Sequence, residues 1–232
     1  MSDDSVRPRR YLLLGIVTFL LLGADMASVV VAKILDGRTA SDPQLWSTNW
    51  YATVGGFVCS VAIWSAWVGV LVGWSRRRRV LGSLVRMQSG SKAWAVVFAG
   101  AVALGLIGWA EARASGSGFP SVLAEHEGFV RLYGDRGTAV TVFQYLYYLL
   151  ESAMVLALVS LVQRAGEKQT RRALIPWGGI ALSLSWGLAH LGMHPEGAAI
   201  IMLIALIYGV AFVLAEKSAP ATLALVYLGF VL

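Results

Sequence analysis

Three ionisable side chains stand inside long apolar runs of this sequence: Asp25, Glu151 and His190. A charged side chain at the centre of a membrane costs about 2.5–3.5 kcal/mol on insertion scales, so residues of this kind usually face an interior cavity and carry function. Carboxyl and imidazole groups are also common agents of proton transfer in catalysis. We therefore take these three residues as the candidate chemical groups of the chain.

Glu151 ends a polar stripe that begins with Gln144 and continues through Tyr147 and Tyr148. These residues precede it by seven, four and three positions, so on a helix all four share one face, which should turn towards the interior of a bundle. A carboxyl group in that position suits a general acid or base, and equally a proton relay in a transporter. A structural role, in which the carboxyl group bonds to a tyrosine or a neighbouring helix, stays open for Glu151 and also for Asp25.

His190 and His194 are four residues apart, the spacing of a two-histidine metal pair on one helical face. Zinc is the metal that this spacing predicts. The string HLGMH lacks the glutamate that follows the first histidine of HExxH proteases, and Pro195 indicates a break in the helix. The alternative is that His194 lies at the outer rim of the membrane without a metal.

The elements that carry these residues must be membrane helices. The chain has 232 residues, of which 57% are hydrophobic and 14% charged, and residues 43–75 contain no charge at all. A helix needs about 20 apolar residues to cross a bilayer, so the sequence predicts an all-α, polytopic transmembrane bundle and excludes a soluble fold. Six long spans are predicted, with a short seventh segment at residues 221–232: residues 11–33, 50–74, 93–111, 139–163, 174–192 and 198–215.

The basic residues alternate between the two sides of this arrangement. Fourteen fall in one set of segments: Arg7, Arg9, Arg10, Arg76, Arg77, Arg78, Arg79, Arg86, Lys92, Arg164, Lys168, Arg171, Arg172 and Lys217. Five fall in the other: Lys33, Arg38, Arg113, Arg131 and Arg136. The positive-inside rule then predicts a cytoplasmic N-terminus in a multi-pass protein of the cell membrane. The net charge of +6 is explained by orientation and contact with the lipid bilayer, without a nucleic-acid partner.

We predict a single transmembrane domain over residues 1–232. It comprises a cytoplasmic N-terminus (1–10), three spans (11–111), an outer loop (112–138) and a last region (139–232). The single cysteine, Cys59, excludes a disulfide framework. Gly69 and Gly73 have the spacing of small residues that let helices approach closely.

The last region resembles the CPBP family of CAAX-protease and bacteriocin-processing intramembrane endopeptidases. The resemblance rests on YYLLESAMVLALVSLVQRAGE (147–167), IPWGG (175–179) and WGLAH (186–190). The family pattern has a glutamate pair followed by an arginine, an aromatic residue four before a histidine, and a later histidine with an asparagine or aspartate. Glu151 matches one glutamate, and Trp186 and His190 match the second motif; the paired glutamate, the arginine and the last motif do not occur.

This resemblance implies an intramembrane hydrolase site in which Glu151 activates water and His190 ligates a metal or stabilises an oxyanion, with His194 as a helper. It implies a membrane-embedded or lipidated peptide as substrate or, because motifs are missing, as the ligand of a catalytically silent relative. At 1.5 Å per residue, Glu151 lies about 18 Å and His190 about 3 Å below the outer surface, so a joint site requires tilted or broken helices. Two other hypotheses are a small proton-coupled transporter that uses Asp25 and Glu151, and a membrane scaffold or accessory subunit. The oligomeric state does not follow from the sequence.

Overall fold

The computed structural model describes residues 6–23, 29, 30, 33, 34, 37, 49–116, 118–191 and 195–232. Two predicted site residues, Asp25 and His194, lie outside these ranges. Within them the chain is helical and forms no strand, and Arg86 and Ser218 make one isolated bridge. The predicted all-α class is therefore confirmed for the described part of the chain.

The helices are, in chain order, α1 Pro8–Leu22, α2 Trp50–Arg77, α3 Leu81–Leu84, α4 Ser91–Ser115, α5 Ser121–Tyr133, α6 Gly137–Thr170, α7 Trp177–Leu182, α8 Leu188–Leu191, α9 Pro195–Leu214 and α10 Ala219–Val231. A 3-10 turn, Gly134–Arg136, joins α5 to α6, and a π-helical turn, Ser183–Gly187, joins α7 to α8. The start of α2 is capped by Asn49, whose side chain accepts a hydrogen bond from the backbone N–H of Tyr51.

Four helical stretches in the described ranges are long and apolar enough to cross a membrane: Trp50–Arg77, Ser91–Ser115, Ser121–Thr170 and Gly197–Leu214. They contain the predicted second, third, fourth and sixth spans. In the first predicted span, α1 ends at Leu22. The predicted fifth span differs most, because α7, the π turn and α8 divide it into three short pieces. The last segment is a short apolar helix, as predicted for residues 221–232.

Helix α6 is the centre of the bundle and packs against α1, α2, α5, α7 and α10. Its middle turns carry large buried side chains, among them Met154, Val155, Leu158 and Val159. Its other face is exposed but also apolar, as at Leu146, so α6 shows almost no amphipathic bias. Residues that project from the packed face of α6 are therefore positioned by several helices of the bundle.

The closest helix crossing is made by Gly179 of α7 and Gly209 of α9. A Cβ added to Gly209 would lie 2.1 Å from the Cα of Gly179, so only glycine permits this approach. The sequence had pointed instead to Gly69 and Gly73, and that prediction is wrong for the described structure: a Cβ at either position would meet no described atom within 4 Å. Spacing alone did not show which glycines face a partner.

The predicted outer loop, residues 112–138, is largely helical. Helix α5 carries Phe129, which packs with Val140 of α6 and Phe57 of α2. The Nδ1 of His126 lies 3.0 Å from the hydroxyl of Thr141 in α6. Helix α5 therefore folds back along the first turns of α6 and becomes part of the bundle.

The basic segments gather at one end of the molecule. Lys168 donates from Nζ to the backbone carbonyl of Val6 at 3.1 Å, which places the N-terminal segment beside the end of α6. The backbone N–H of Arg86 bonds to the carbonyl of Lys217 at 2.8 Å, and Lys217 in turn pairs with Glu167 at 2.6 Å. These contacts unite segments that the charge pattern assigned to one side.

Candidate functional site

A hydrogen-bonded chain of three side chains joins α5 to α6 in the interior. The Nε2 of Gln144 donates to the hydroxyl of Tyr148 at 2.8 Å, and this hydroxyl donates to Glu125, lying 2.9 Å from Oε1 and 3.0 Å from Oε2. A phenol has one proton and an ionised carboxylate can only accept, so the tyrosine oxygen must receive its second bond from the amide. We refer to Glu125, Gln144, Tyr148 and Glu151 as the interior polar cluster.

The amide oxygen of Gln144 is the unsatisfied group of this cluster. Gln144 is 1% exposed, and its Oε1 has no hydrogen-bond partner in the described part of the chain. Leaving a buried hydrogen-bond acceptor without a donor costs about 1–3 kcal/mol. The position is therefore suited to a group that brings an N–H or O–H donor.

Glu151 lies two turns beyond Gln144 on the same side of α6. Its side chain is buried, with 6% exposure, and interacts electrostatically with the phenol groups of Tyr148 and of Tyr208 on α9. Tyr208 is itself buried, and its hydroxyl occupies the space that a side chain at Gly229 of α10 would fill. The carboxyl group of Glu151 is thus enclosed by helices from three parts of the sequence.

A row of aromatic rings connects this cluster to the His190 region. Tyr148 stacks on Phe230 with ring centroids 5.0 Å apart. Phe230 meets the edge of Trp186 at 6.1 Å, and Trp186 meets His190 at 5.0 Å. The two motifs that the sequence singled out, around Glu151 and around His190, therefore border one aromatic wall.

His190 is oriented by its own helix. Its Nδ1 lies 2.9 Å from the backbone carbonyl of Trp186, and a carbonyl only accepts, so Nδ1 carries the proton. The lone pair of the neutral ring is then at Nε2, which can take a proton or bind a metal. It can stabilise an oxyanion only after it is protonated.

A π turn, Ser183–Gly187, interrupts the α-helical hydrogen bonding just before His190, within a run that is helical from 177 to 191. It is held against α9 because the Ser183 hydroxyl donates to the carbonyl of Met202 at 2.9 Å. Gly187 permits this contact, since a Cβ there would lie 2.3 Å from the side chain of Met202. Single π turns of this kind occur often at functional positions.

A zinc site is not assembled by the described residues. No group of three or more His, Cys, Asp or Glu side chains in those ranges is close enough to hold a metal ion. His190 provides one nitrogen, and its proposed partner His194 lies outside the described residues. The two-histidine zinc site therefore stays a prediction.

The predicted polar stripe divides in the structure. Gln144, Tyr148 and Glu151 belong to the cluster, whereas the ring of Tyr147 lies against Phe57 at 5.2 Å and Trp64 at 4.9 Å. Tyr147 is thus part of the aromatic packing between α2 and α6.

Three residues of the site were missed by the sequence interpretation: Glu125, Tyr208 and Phe230. The sequence does contain a pattern that points to Glu125. It stands in an amphipathic stretch, four residues before Phe129, and this spacing indicates a helix with one buried face. Tyr208 and Phe230 stand in uniformly apolar runs, where no local pattern distinguishes a wall residue from a lipid-facing one.

Comparisons with known proteins do not identify the chain: no protein-family model matches it, and no curated protein or solved structure matches it significantly. The resemblance to the CPBP family therefore stays a prediction from Glu151, Trp186 and His190.

Proposed function

We propose that this chain is a divergent, CPBP-like membrane protein that binds a membrane-embedded or lipidated peptide at the interior polar cluster. The observation that carries the proposal is the unsatisfied Oε1 of Gln144, buried beside the carboxyl groups of Glu125 and Glu151. The cluster has more acceptors than donors, and a peptide backbone inside a membrane has N–H groups that must be satisfied. The acceptors of the cluster therefore complement the N–H donors of a peptide backbone.

The groups of the site support binding of a peptide better than its cleavage. In a hydrolytic form, Glu151 takes a proton from water while the water oxygen attacks the peptide carbonyl carbon. The negative charge that develops on the carbonyl oxygen then needs a donor. His190 in its neutral form presents only an acceptor at Nε2, so this donor is lacking unless the ring is protonated.

The test is photo-crosslinking of the full-length protein in vesicles to a farnesylated peptide that carries a benzophenone group. Mass spectrometry of the same sample reports both cross-linked and cleaved peptide. We expect cross-linking without cleavage in the wild type. Gln144→Leu should weaken binding about tenfold, because one buried hydrogen bond is lost. Glu151→Gln tests the carboxyl group without changing its shape.

Glu127→Gln is the matched control, since Glu127 is an exposed glutamate on α5 beside the cluster. It should cross-link like the wild type. Equal cross-linking in Gln144→Leu and wild type, with both proteins monodisperse, would reject the site. Cleaved peptide that disappears in Glu151→Gln would establish the enzyme in place of the silent relative.

Metal content decides the zinc hypothesis separately. We expect no stoichiometric zinc in purified wild type, in Glu151→Gln or in His190→Ala. Zinc that is present in the wild type and lost in His190→Ala would establish a zinc site that depends on His190, and cleavage in the cross-linking assay would then be tested with zinc bound.

A proton-coupled transporter is the second candidate. The π turn between α7 and α8 and the buried carboxyl group of Glu151 favour it, because π turns occur often at functional positions and buried carboxyl groups serve as proton relays in transporters. A pH-sensitive dye enclosed in vesicles would report proton movement that is lost in Glu151→Gln. Proton flux without peptide cross-linking would favour this function over peptide binding.

We also propose that the N-terminus is cytoplasmic and that the protein resides in the cell membrane. The gathering of the basic segments at one end of the molecule, by the contacts of Lys168, Arg86 and Lys217, supports this orientation.

A further inference from the structure

A second feature lies at the basic end of the bundle, where α2, α3, α6 and α10 line a half-open cavity of about 360 Å³. Its walls are almost entirely apolar and include Leu71, Trp74, Leu84, Leu156, Leu161 and Leu223. The hydroxyls of Ser75 and Ser160, which also line it, donate to backbone carbonyls of their own helices. The walls therefore suit an apolar occupant, such as a hydrocarbon chain.

Four consecutive arginines, Arg76 to Arg79, link two residues that line this cavity: they follow Ser75 and come just before Leu81. From this adjacency we infer that the run borders the mouth of the cavity. Arg76, Arg77 and Arg79 are exposed, and in the described ranges no carboxylate pairs with the run. Glu216, an acidic residue at the same end, is already held by Arg86 and Lys92. The mouth carries uncompensated positive charge.

Arg79 has an unfavourable backbone conformation. Its φ is 56°, in the left-handed region, at the end of α2. The Val80 N–H bonds to the Ser75 carbonyl at 2.9 Å and the Arg79 N–H to the Arg76 carbonyl at 3.0 Å, a helix ending that usually uses glycine. Glycine would therefore fit this position without strain, so a substitution of Arg79 by glycine removes the charge and keeps the helix ending.

We propose that the cavity and the arginine run together bind one anionic phospholipid, with an acyl chain in the cavity and the phosphate on the arginines. Charge complementarity selects an anionic lipid, and the apolar walls select its chain over a free phosphate. This site is independent of the peptide proposal. The cavity uses Ala153, Ala157 and Ser160 of α6, which lie on a different helical face from Gln144 and Tyr148.

The test is native mass spectrometry of the purified full-length protein with equal amounts of phosphatidylglycerol and phosphatidylcholine that have identical acyl chains. We expect one tightly retained phosphatidylglycerol. Arg79→Gly should weaken its binding about fivefold, since one basic residue at a membrane surface contributes about that factor. The same substitution relieves the backbone, so thermal stability should be unchanged or higher.

Arg171→Gly is the matched control. Arg171 is also an exposed arginine in the left-handed region, with φ 59°, but it ends α6, ten residues beyond Leu161, the last residue of that helix that lines the cavity. It should retain the lipid like the wild type. Ala153→Leu, which fills the cavity, should release the lipid while leaving every arginine in place.

Three results would overturn the proposal. They are equal retention of the two lipids, equal loss in Arg171→Gly and Arg79→Gly, and displacement of the lipid by glycerol phosphate, which lacks an acyl chain. Gln144→Leu should keep the lipid, so a failure of the peptide proposal and a failure of this one are distinguishable.

Discussion

The hydroxyl of Tyr148 on α6 contacts both carboxylate oxygens of Glu125 on α5, at 2.9 and 3.0 Å. This contact joins a segment that reads as an outer loop to the central helix of the bundle. It also positions the amide of Gln144, whose Nε2 donates to the same hydroxyl at 2.8 Å. The hydrogen bonds that connect Gln144 and Glu125 within the interior polar cluster therefore all involve the phenol oxygen of Tyr148.

Removal of this hydroxyl in Tyr148→Phe should lower the free energy of unfolding by about 1–3 kcal/mol, because the partly buried carboxylate of Glu125 and the buried amide of Gln144 lose their common partner. Thermal unfolding in detergent measures the change. Tyr145→Phe, on the same helix, should have little effect. The double variant Glu125→Gln with Tyr148→Phe should lose less than the sum of the two single variants, and strict additivity would show that the pair is not coupled.

The buried ion pair between Glu167 and Lys217 should contribute more than the exposed pair between Glu216 and Arg86. Both pairs have an N–O distance of 2.6 Å, but the Glu167 side chain is 6% exposed and that of Glu216 is 52% exposed. Glu167→Gln should cost about 2 kcal/mol or more, because it leaves a partly buried ammonium without its counter-charge.

Glu216→Gln is the isosteric control and should cost less than about 1 kcal/mol, with a smaller effect at high salt. Chemical or thermal unfolding of both variants under identical conditions makes the comparison. Equal losses would mean that the burial of Glu167 does not strengthen its pair.

Gly209→Ala should destabilise the bundle by about 1–3 kcal/mol, because the added methyl group overlaps the backbone of Gly179 and a backbone cannot rotate away. Gly69→Ala adds the same methyl group to a helix position that no other described residue approaches within 4 Å. It should be neutral or slightly stabilising, since alanine favours helix more than glycine does. The opposite order of stabilities would refute the proposed crossing of α7 and α9.

The orientation can be read with single cysteines in a Cys59→Ser background. Arg77→Cys lies in the basic segment and Glu127→Cys on α5, and both positions are exposed. A maleimide that does not cross membranes should label Glu127→Cys in intact cells and Arg77→Cys only after the membrane is opened. The reverse pattern would place the N-terminus outside.

The membrane class and the positions of the long helices could be predicted because they depend on local properties. Uncharged runs such as residues 43–75 need no partner to reveal a span. Glu151 and His190 were noticed for the same reason, since a polar group in an apolar run is visible in one dimension.

The π turn in the predicted fifth span and the full set of residues that form the site could not be predicted in this way. The π turn before His190 exists because Ser183 and Gly187 meet Met202 of α9, a contact between distant parts of the chain. Phe230 lies in the aromatic wall because α10 returns to α6, and its own sequence neighbours are as apolar as it is.

Composition and hydropathy by themselves thus determined that the described chain forms helices long and apolar enough to cross a membrane, and that a buried acid stands at Glu151. The tertiary structure alone decided that Glu125 joins the cluster, that Tyr147 does not, and that Gly179 and Gly209 form the close crossing. The physical reason is that hydropathy and charge add up along the chain, whereas the pairing of helix faces depends on which surfaces fit together in three dimensions.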